Sequence, residues 1–176
     1  VYQVGQDEGP PLIAKFYRPA RWSDAQIQEE HDFCRELASA ELPVVGPVPG
    51  EGGKTLYDFQ NYRFTLFNRK GGQAPEPGDY EQLHRIGMLL GRMHAIGRQR
   101  PFVHRPALTL SRFLDTPAHV VQTGGLLPSS LKDRYAAVIA RLRQQIQSTG
   151  LESATYIRTH GDCHPGNILW TRDDGP

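Results

Sequence analysis

Gly71, Gly72, Pro75 and Pro77 crowd the stretch from Asn68 to Gly78. Proline removes a backbone donor and glycine carries the largest folding entropy, so neither sustains a helix or a central strand. The stretch therefore divides the chain. Before it lie short apolar runs of strand length, and after it lie long 3.6-residue periodicities. The pattern predicts an α+β fold with a small, β-rich first lobe over residues 1–67 and a linker over 68–78. A mainly helical second lobe follows over 79–176.

Within the first lobe, Val1 to Val4 and Leu12 to Tyr17 read as strands around a polar turn with Asp7, Gly9 and Pro10. Ser23 and Gln26 form a capping box, in which each side chain meets a backbone N–H at a helix start. Ile27, Glu30, Cys34 and Leu37 then share one helical face, with Phe33 beside them. A carboxylate in that register either sits at the edge of the buried stripe or serves a partner. Leu42 to Val48 carries Pro43 and Pro47 and is at most an edge segment. Thr55 to Asp58 and Tyr62 to Phe67 read as a hairpin around Phe59-Gln60-Asn61.

In the second lobe, Leu83, Ile86, Leu90 and Met93 give a helix of about 18 residues from Asp79 to near Gly97. Leu131, Tyr135, Val138, Leu142 and Ile146 give another that ends near Gly150. Tyr156 to Thr159 and Ile168 to Thr171 read as short strands on either side of a polar loop.

A hydrophobic share of 38% with 22% charged residues predicts a packed, soluble core rather than disorder. The net charge of +1 and the lack of a basic run give no support to nucleic-acid or membrane binding driven by bulk charge. Two cysteines, Cys34 and Cys163, cannot make a disulfide framework. No basic-then-apolar leader opens the chain, and no run of about 18 apolar residues appears. A monomer in the reducing cytoplasm is the expectation. The first residue is Val1 and the last are Asp174-Gly175-Pro176, from which a fragment of a longer protein is expected.

The residues with chemical potential converge on one segment, His160-Gly161-Asp162-Cys163-His164-Pro165-Gly166-Asn167. Moving a γ-phosphoryl group requires a carboxylate to orient the attacking hydroxyl, oxygen ligands for Mg²⁺, and a cation on the nucleotide phosphates. Asp162 and Asn167 stand at the Asp-x-x-x-x-Asn spacing of a kinase catalytic loop, with His160 before the Asp. Asp162 is the candidate acceptor of the hydroxyl's hydrogen bond, and the amide oxygen of Asn167 is a hard donor suited to Mg²⁺. Two other readings stand beside this one: a polar surface turn, and a transition-metal site of His160, Asp162, Cys163 and His164.

Lys15 closes the apolar run Leu12-Ile13-Ala14 and is the candidate phosphate-binding cation. Glu30, on the inner face of the following helix, is its candidate partner, because an unpaired charge there would cost several kcal/mol. Glu29 is the alternative, one helical position away. Leu66, Phe67 and Asn68, at the exit into the linker, are hinge candidates whose backbone groups could meet an adenine edge. His94 reads as a packed helix residue. Arg98, Arg100, His104 and Arg105 read as a solvated basic cluster, with a role in holding phosphorylated substrate as the alternative.

The segment from His160 to Trp170 resembles the catalytic loop of the aminoglycoside phosphotransferase and choline kinase superfamily. Lys15 to Trp22, Glu29 to Phe33, Leu90 to His94 and Phe102 to Pro106 extend the resemblance to a bacterial stress response kinase family within it. That likeness covers nearly the whole chain. It implies a protein-kinase-like two-lobed fold and a cytosolic Ser/Thr protein kinase that uses ATP and Mg²⁺. It implies Asp162 as proton acceptor, Asn167 as Mg²⁺ ligand, and Lys15 as the phosphate-binding lysine paired with Glu30. It also implies two parts beyond this chain: a phosphate-covering loop before Val1, and a second Mg²⁺-binding Asp for which Asp173 and Asp174 are poor substitutes. The 176 residues alone are therefore expected to be inactive. A kinase for small hydroxyl metabolites and a non-catalytic nucleotide-binding module are the competing functions.

Overall fold

A computed structural model describes residues 1–171, 175 and 176. The first third is an antiparallel sheet of four strands with one helix. The strands are β1 (Tyr2–Val4), β2 (Leu12–Phe16), β3 (Tyr57–Phe59) and β4 (Tyr62–Asn68), in the spatial order β1-β2-β4-β3. The long β4 is central, pairing Ala14 with Leu66, Lys15 with Thr65 and Phe16 with Phe64. Its hairpin with β3 turns on Gln60 and Asn61, whose φ of 50° and 67° are both left-handed. That is the two-residue connection that matches strand twist, one residue shorter than the turn expected from the sequence.

Helix α1 (Asp24–Ser39) begins where the capping box predicts: Ser23 Oγ accepts from the Gln26 N–H and Gln26 Oε1 accepts from the Ser23 N–H. Its buried face is Ile27, His31, Phe33 and Leu37. Glu30 and Cys34 lie half-buried at the edge of that stripe. His31, 1% exposed, takes the place the sequence pattern did not assign to it. Its Nε2 meets Tyr17 Oη at 3.0 Å and its Nδ1 meets Thr55 Oγ1 at 2.8 Å, so the ring is satisfied from both sides.

Helix α2 (Tyr80–Gly97) starts at Asp79, whose Oδ1 accepts from the N–H groups of Glu81 and Gln82. The core lies between α1 and α2. Phe33, Leu37, Leu42 and Met93 are buried there, flanked by Val44, Leu89, Ile96 and Phe102. Phe33 and Phe102 meet edge to face at 5.6 Å. Such an aromatic pair adds about 1 kcal/mol beyond the area it buries.

The contacts divide the chain into two compact units: residues 1–105 with 157–176, and residues 106–156. In the second unit a π turn over Ser111–Asp115 runs into α3 (Thr116–Thr123), which carries a proline in its first turn. Helix α4 (Lys132–Ser148) follows, and Gly150 (φ 72°) ends that segment. Leu127, Leu131, Tyr135 and Val138 line an apolar groove of about 240 Å³. Among the described residues, no helix is long and apolar enough to cross a membrane.

Two expected strands are not strands. Tyr156 to Thr159 forms no ladder, and the Arg158 N–H goes instead to the Gly97 carbonyl at 3.2 Å. In Ile168 to Thr171, Trp170 exchanges both backbone bonds with Gln73 in the linker, and Thr171 bridges to Gly175. The β-prone residues are present in both segments, but a strand persists only where a neighbouring ladder satisfies its backbone.

Candidate active site

Lys15 projects from β2 and Glu30 from α1, and the structure brings them together. Nζ lies 3.4 Å from Oε1, with side chains 40% and 33% exposed. The ammonium also stands 5.1 Å above the centre of the Tyr17 ring. Solvent reaches this pair, so its value is chiefly positional rather than energetic. The other carboxylate oxygen of Glu30 accepts from Arg105 Nη1 at 2.6 Å. Glu30 is thus held between two cations.

The Asp162–Asn167 segment is a compact turn on its own terms. His164 caps a 3₁₀ turn over Pro165–Asn167, its Nδ1 accepting the Gly166 N–H at 3.1 Å. Gly161 (φ 79°) supplies the left-handed bend that leads in. Asn167 Nδ2 then donates to the Asp162 carbonyl at 2.8 Å and to Asp162 Oδ2 at 3.1 Å. The two candidate groups face each other across the turn, with the carboxylate 77% exposed. Among the described residues nothing donates to Asp162 Oδ1 within hydrogen-bond distance: His164 Nε2 is 3.9 Å away. Asn167 Oδ1 is likewise without a hydrogen bond there, so a hard amide oxygen is available and fits Mg²⁺ as one ligand.

Among the described residues, no group of three or more His, Cys, Asp and Glu could hold a metal ion, which disfavours the transition-metal reading of His160 to His164. Asp173 and Asp174 lie outside the described residues. Among the hinge candidates, the Leu66 carbonyl already accepts the Val48 N–H at 2.8 Å, and Phe67 bridges to Pro47. Asn68 is the exposed end of β4. A separate cleft of about 340 Å³, lined by Tyr17, Arg18, Trp22, Asp24, Asp58 and Arg63 among others, shares no residue with Lys15–Glu30 or with the loop.

The basic cluster read from the sequence is partly built into α1 rather than solvated. Glu29 accepts the N–H groups of Val103, His104 and Arg105 at 2.5, 2.9 and 2.7 Å. Partial burial pushes its carboxyl up, but those three donors prevail and hold it below the usual range. Arg105, 20% exposed, lies over the Trp22 ring at 4.5 Å. Arg100 pairs with Glu36 at 2.7 Å.

The residue that sequence reasoning missed is Arg158. It is 3% exposed, two positions before His160, and grips Glu36 with both Nη atoms at 2.7 and 2.8 Å. Hydrogen bonds from Arg158, with a smaller contribution from Arg100, hold the Glu36 carboxyl down to about 2. The signal available was a cation inside the short apolar run Tyr156-Ile157-Arg158. A charge there needs a partner, but nothing local says which.

The antiparallel sheet with its single helix, and the helices that follow, define a kinase-like α+β fold. The chain belongs to the phosphotransferase enzyme family, whose family description matches residues 1–176. It is 40% identical to stress response kinase A of Shigella flexneri over 176 residues, all of this chain and 53% of that protein. It is 39% identical, over the same shares, to stress response kinase A of Escherichia coli K12 and to the serine/threonine protein kinase RdoA of Salmonella typhimurium LT2. The chain spans about half the length of these curated relatives. Among solved structures, amicoumacin kinase hAmiN in complex with AMP-PNP, Ca²⁺ and Ami is similar in fold. The TM-score is 0.73 at 19% identity, covering 97% of this chain and 52% of that one.

Proposed function

We propose that this chain carries the phosphoryl-transfer residues of an ATP- and Mg²⁺-dependent kinase that acts on Ser and Thr hydroxyls of proteins in a stress response. The observation that carries the reading is the Asp162–Asn167 pair, whose side chains meet in a hydrogen bond of 3.1 Å across a tight turn. In this reading Asp162 Oδ1, which has no donor among the described residues, accepts the hydrogen bond of the attacking hydroxyl and aligns its lone pair with the γ-phosphorus. The proton passes to that carboxylate as the new oxygen–phosphorus bond forms and the bond from the γ-phosphorus to the β,γ-bridging oxygen breaks, releasing ADP. Asn167 fixes the carboxylate through Nδ2 and keeps Oδ1 for the metal. Lys15, held by Glu30, receives the nucleotide phosphates. Asn68, at the exposed end of β4, offers the adenine-facing edge, since the Leu66 carbonyl is already engaged and Phe67 is paired with Ile13 and Pro47. Mg²⁺, when bound, supplies charge neutralisation at the phosphate oxygens.

The lobes over 1–67 and 79–176, joined by 68–78, belong to the same proposal. Nothing in the chain's composition calls for a nucleic-acid or membrane partner, and ATP and a protein acceptor are the partners proposed, with the protein a cytoplasmic monomer. The acceptor class is suggested by the relatives' names, and hAmiN, a kinase solved with a small molecule, marks the competing class.

The test uses the full-length protein with γ-labelled ATP and Mg²⁺. Label on phosphoserine or phosphothreonine, in the kinase itself or an added protein, is the expected result. Turnover on aminoglycosides, choline or homoserine alone would replace protein with metabolite as the acceptor. Asp162→Asn should lower kcat by about 10²-fold or more while ATP still binds. Undiminished turnover by that variant would refute the assignment.

A further inference from the structure

We propose that Arg158 is a positioning residue: through its two-pronged hold on Glu36 it keeps the lead-in of the Asp162–Asn167 loop aligned with the helix that presents Glu30 to Lys15. The inference deepens the phosphoryl-transfer reading and rests on it.

Arginine is almost never as buried as 3% exposure unless it is paired, and Arg158 is paired through both Nη atoms, while its buried Nε has no partner among the described residues. Nη1 reaches Glu36 Oε2 at 2.7 Å and Nη2 reaches Oε1 at 2.8 Å. Nη2 also donates to the Ile96 carbonyl at 3.1 Å, and the backbone N–H donates to the Gly97 carbonyl at 3.2 Å. The guanidinium lies 4.3 Å over the Phe33 ring and 5.8 Å from that of Phe102. One side chain therefore joins α1, the last turn of α2 and the approach to the loop.

The loop itself has little else to hold it. Residues 159–167 are exposed, and the hydrogen bonds of Asp162, His164 and Asn167 stay within the loop. Its position is thus set from its two ends, by Arg158 before it and by the Trp170–Gln73 bridge after it. On the other side of the joint, Glu36 and Glu30 ride on one continuous helix, about 9 Å apart along its axis at about 1.5 Å per residue. A helix moves as a rod over that length. A shift at Glu36 is therefore a shift at Glu30, and a misplacement of about 1 Å between reacting groups costs about 10²-fold in rate.

The charge alone is not enough. Lysine would keep it, but a point ammonium cannot span both carboxylate oxygens and the Ile96 carbonyl at once. In the full-length protein, Arg158→Lys should lower kcat about tenfold or more while KM for ATP stays within about threefold. The nucleotide is held by β2 and β4, and only its alignment with the acceptor suffers. Amides of residues 160–168 should exchange with deuterium about tenfold faster than in the wild type. Arg100→Ala is the control: it removes a cation from Glu36 Oε2 on the exposed side, where Arg100 is 63% exposed and bonds to nothing in the loop lead-in. It should match wild type in both readouts.

Wild-type loop exchange and kcat in Arg158→Lys, with only a lower melting temperature, would overturn the proposal. So would an equal loss of kcat in Arg100→Ala. If Arg158→Lys fails to fold, Glu36→Gln is read by the same two measurements. A full-length protein without turnover on any acceptor would sink the kinase reading, and the exchange of residues 160–168 would still decide the role of Arg158.

Discussion

Replacing Glu36 by glutamine isolates the acid-sensitive part of the brace beneath the loop. The wild-type carboxyl ionises at about 2, against 4.5 for an unperturbed glutamate, because Arg158 and Arg100 donate to it. At about 1.4 kcal/mol per pH unit, that difference corresponds to about 3 kcal/mol of folding free energy. With the side chain 23% exposed, water screens part of it, so about 2–3 kcal/mol is the working value. The sign follows from which state binds the proton more tightly. Below 4.5 the unfolded chain takes up a proton that folded Glu36 refuses, so the contribution is complete above 4.5 and drains away as pH falls toward 2. Glu36→Gln should be less stable than wild type by about 2–3 kcal/mol at pH 7, and the gap should shrink steadily between pH 4.5 and pH 2. Urea unfolding of the full-length protein, followed by tryptophan fluorescence at pH 7, 5, 4 and 3, measures it. Asp24 and Glu29 are also held low, by Arg63 and by the 103–105 backbone respectively, but they are common to both proteins and cancel in the difference. A gap of equal size at pH 3 and pH 7 would refute the ion-pair argument.

Two further outcomes are expected. A methyl group at Gly97 would overlap the Arg158 carbonyl oxygen, a backbone atom that cannot step aside. Gly97→Ala should therefore lose at least about 2 kcal/mol, read as a fall in melting temperature, and an unchanged melt would contradict the close approach. Burial pushes the Cys34 thiol up to about 11, whereas Cys163 is exposed. Iodoacetamide at pH 8 should label Cys163 within minutes and leave Cys34 untouched under native conditions, as peptide mass spectrometry would show; equal labelling would exclude the buried environment of Cys34.

Where local chemistry dictates the outcome, the sequence was readable. The Ser23–Gln26 box, the Asp79 cap and the strand–helix alternation of residues 1–67 all depend on neighbours within a few positions. The Lys15–Glu30 meeting was readable for a different reason: a carboxylate on a buried helical stripe requires a cation, and Lys15 stood on the strand before it. His31 was not legible. Its burial depends on hydroxyls from Tyr17, Thr55 and Thr65, which arrive from separate strands and loops. Arg105 and Arg158 failed for the same reason, since their partners Glu30 and Glu36 are 75 and 122 positions away. The strands read at 156–159 and 168–171 show the converse: without a partner ladder, β-prone composition gives no bridge among the described residues in the first and single bridges at Trp170 and Thr171 in the second.

The bond between Asn167 Nδ2 and Asp162 Oδ2 has a consequence for how such a loop can change over generations. A substitution at either position disturbs the orientation of the other, so the pair is inherited as one trait, and the second of two replacements should do little further harm. His164, which caps the turn between them, is constrained as well, so drift is left to a position such as exposed Cys163, whose side chain takes no part in that bond.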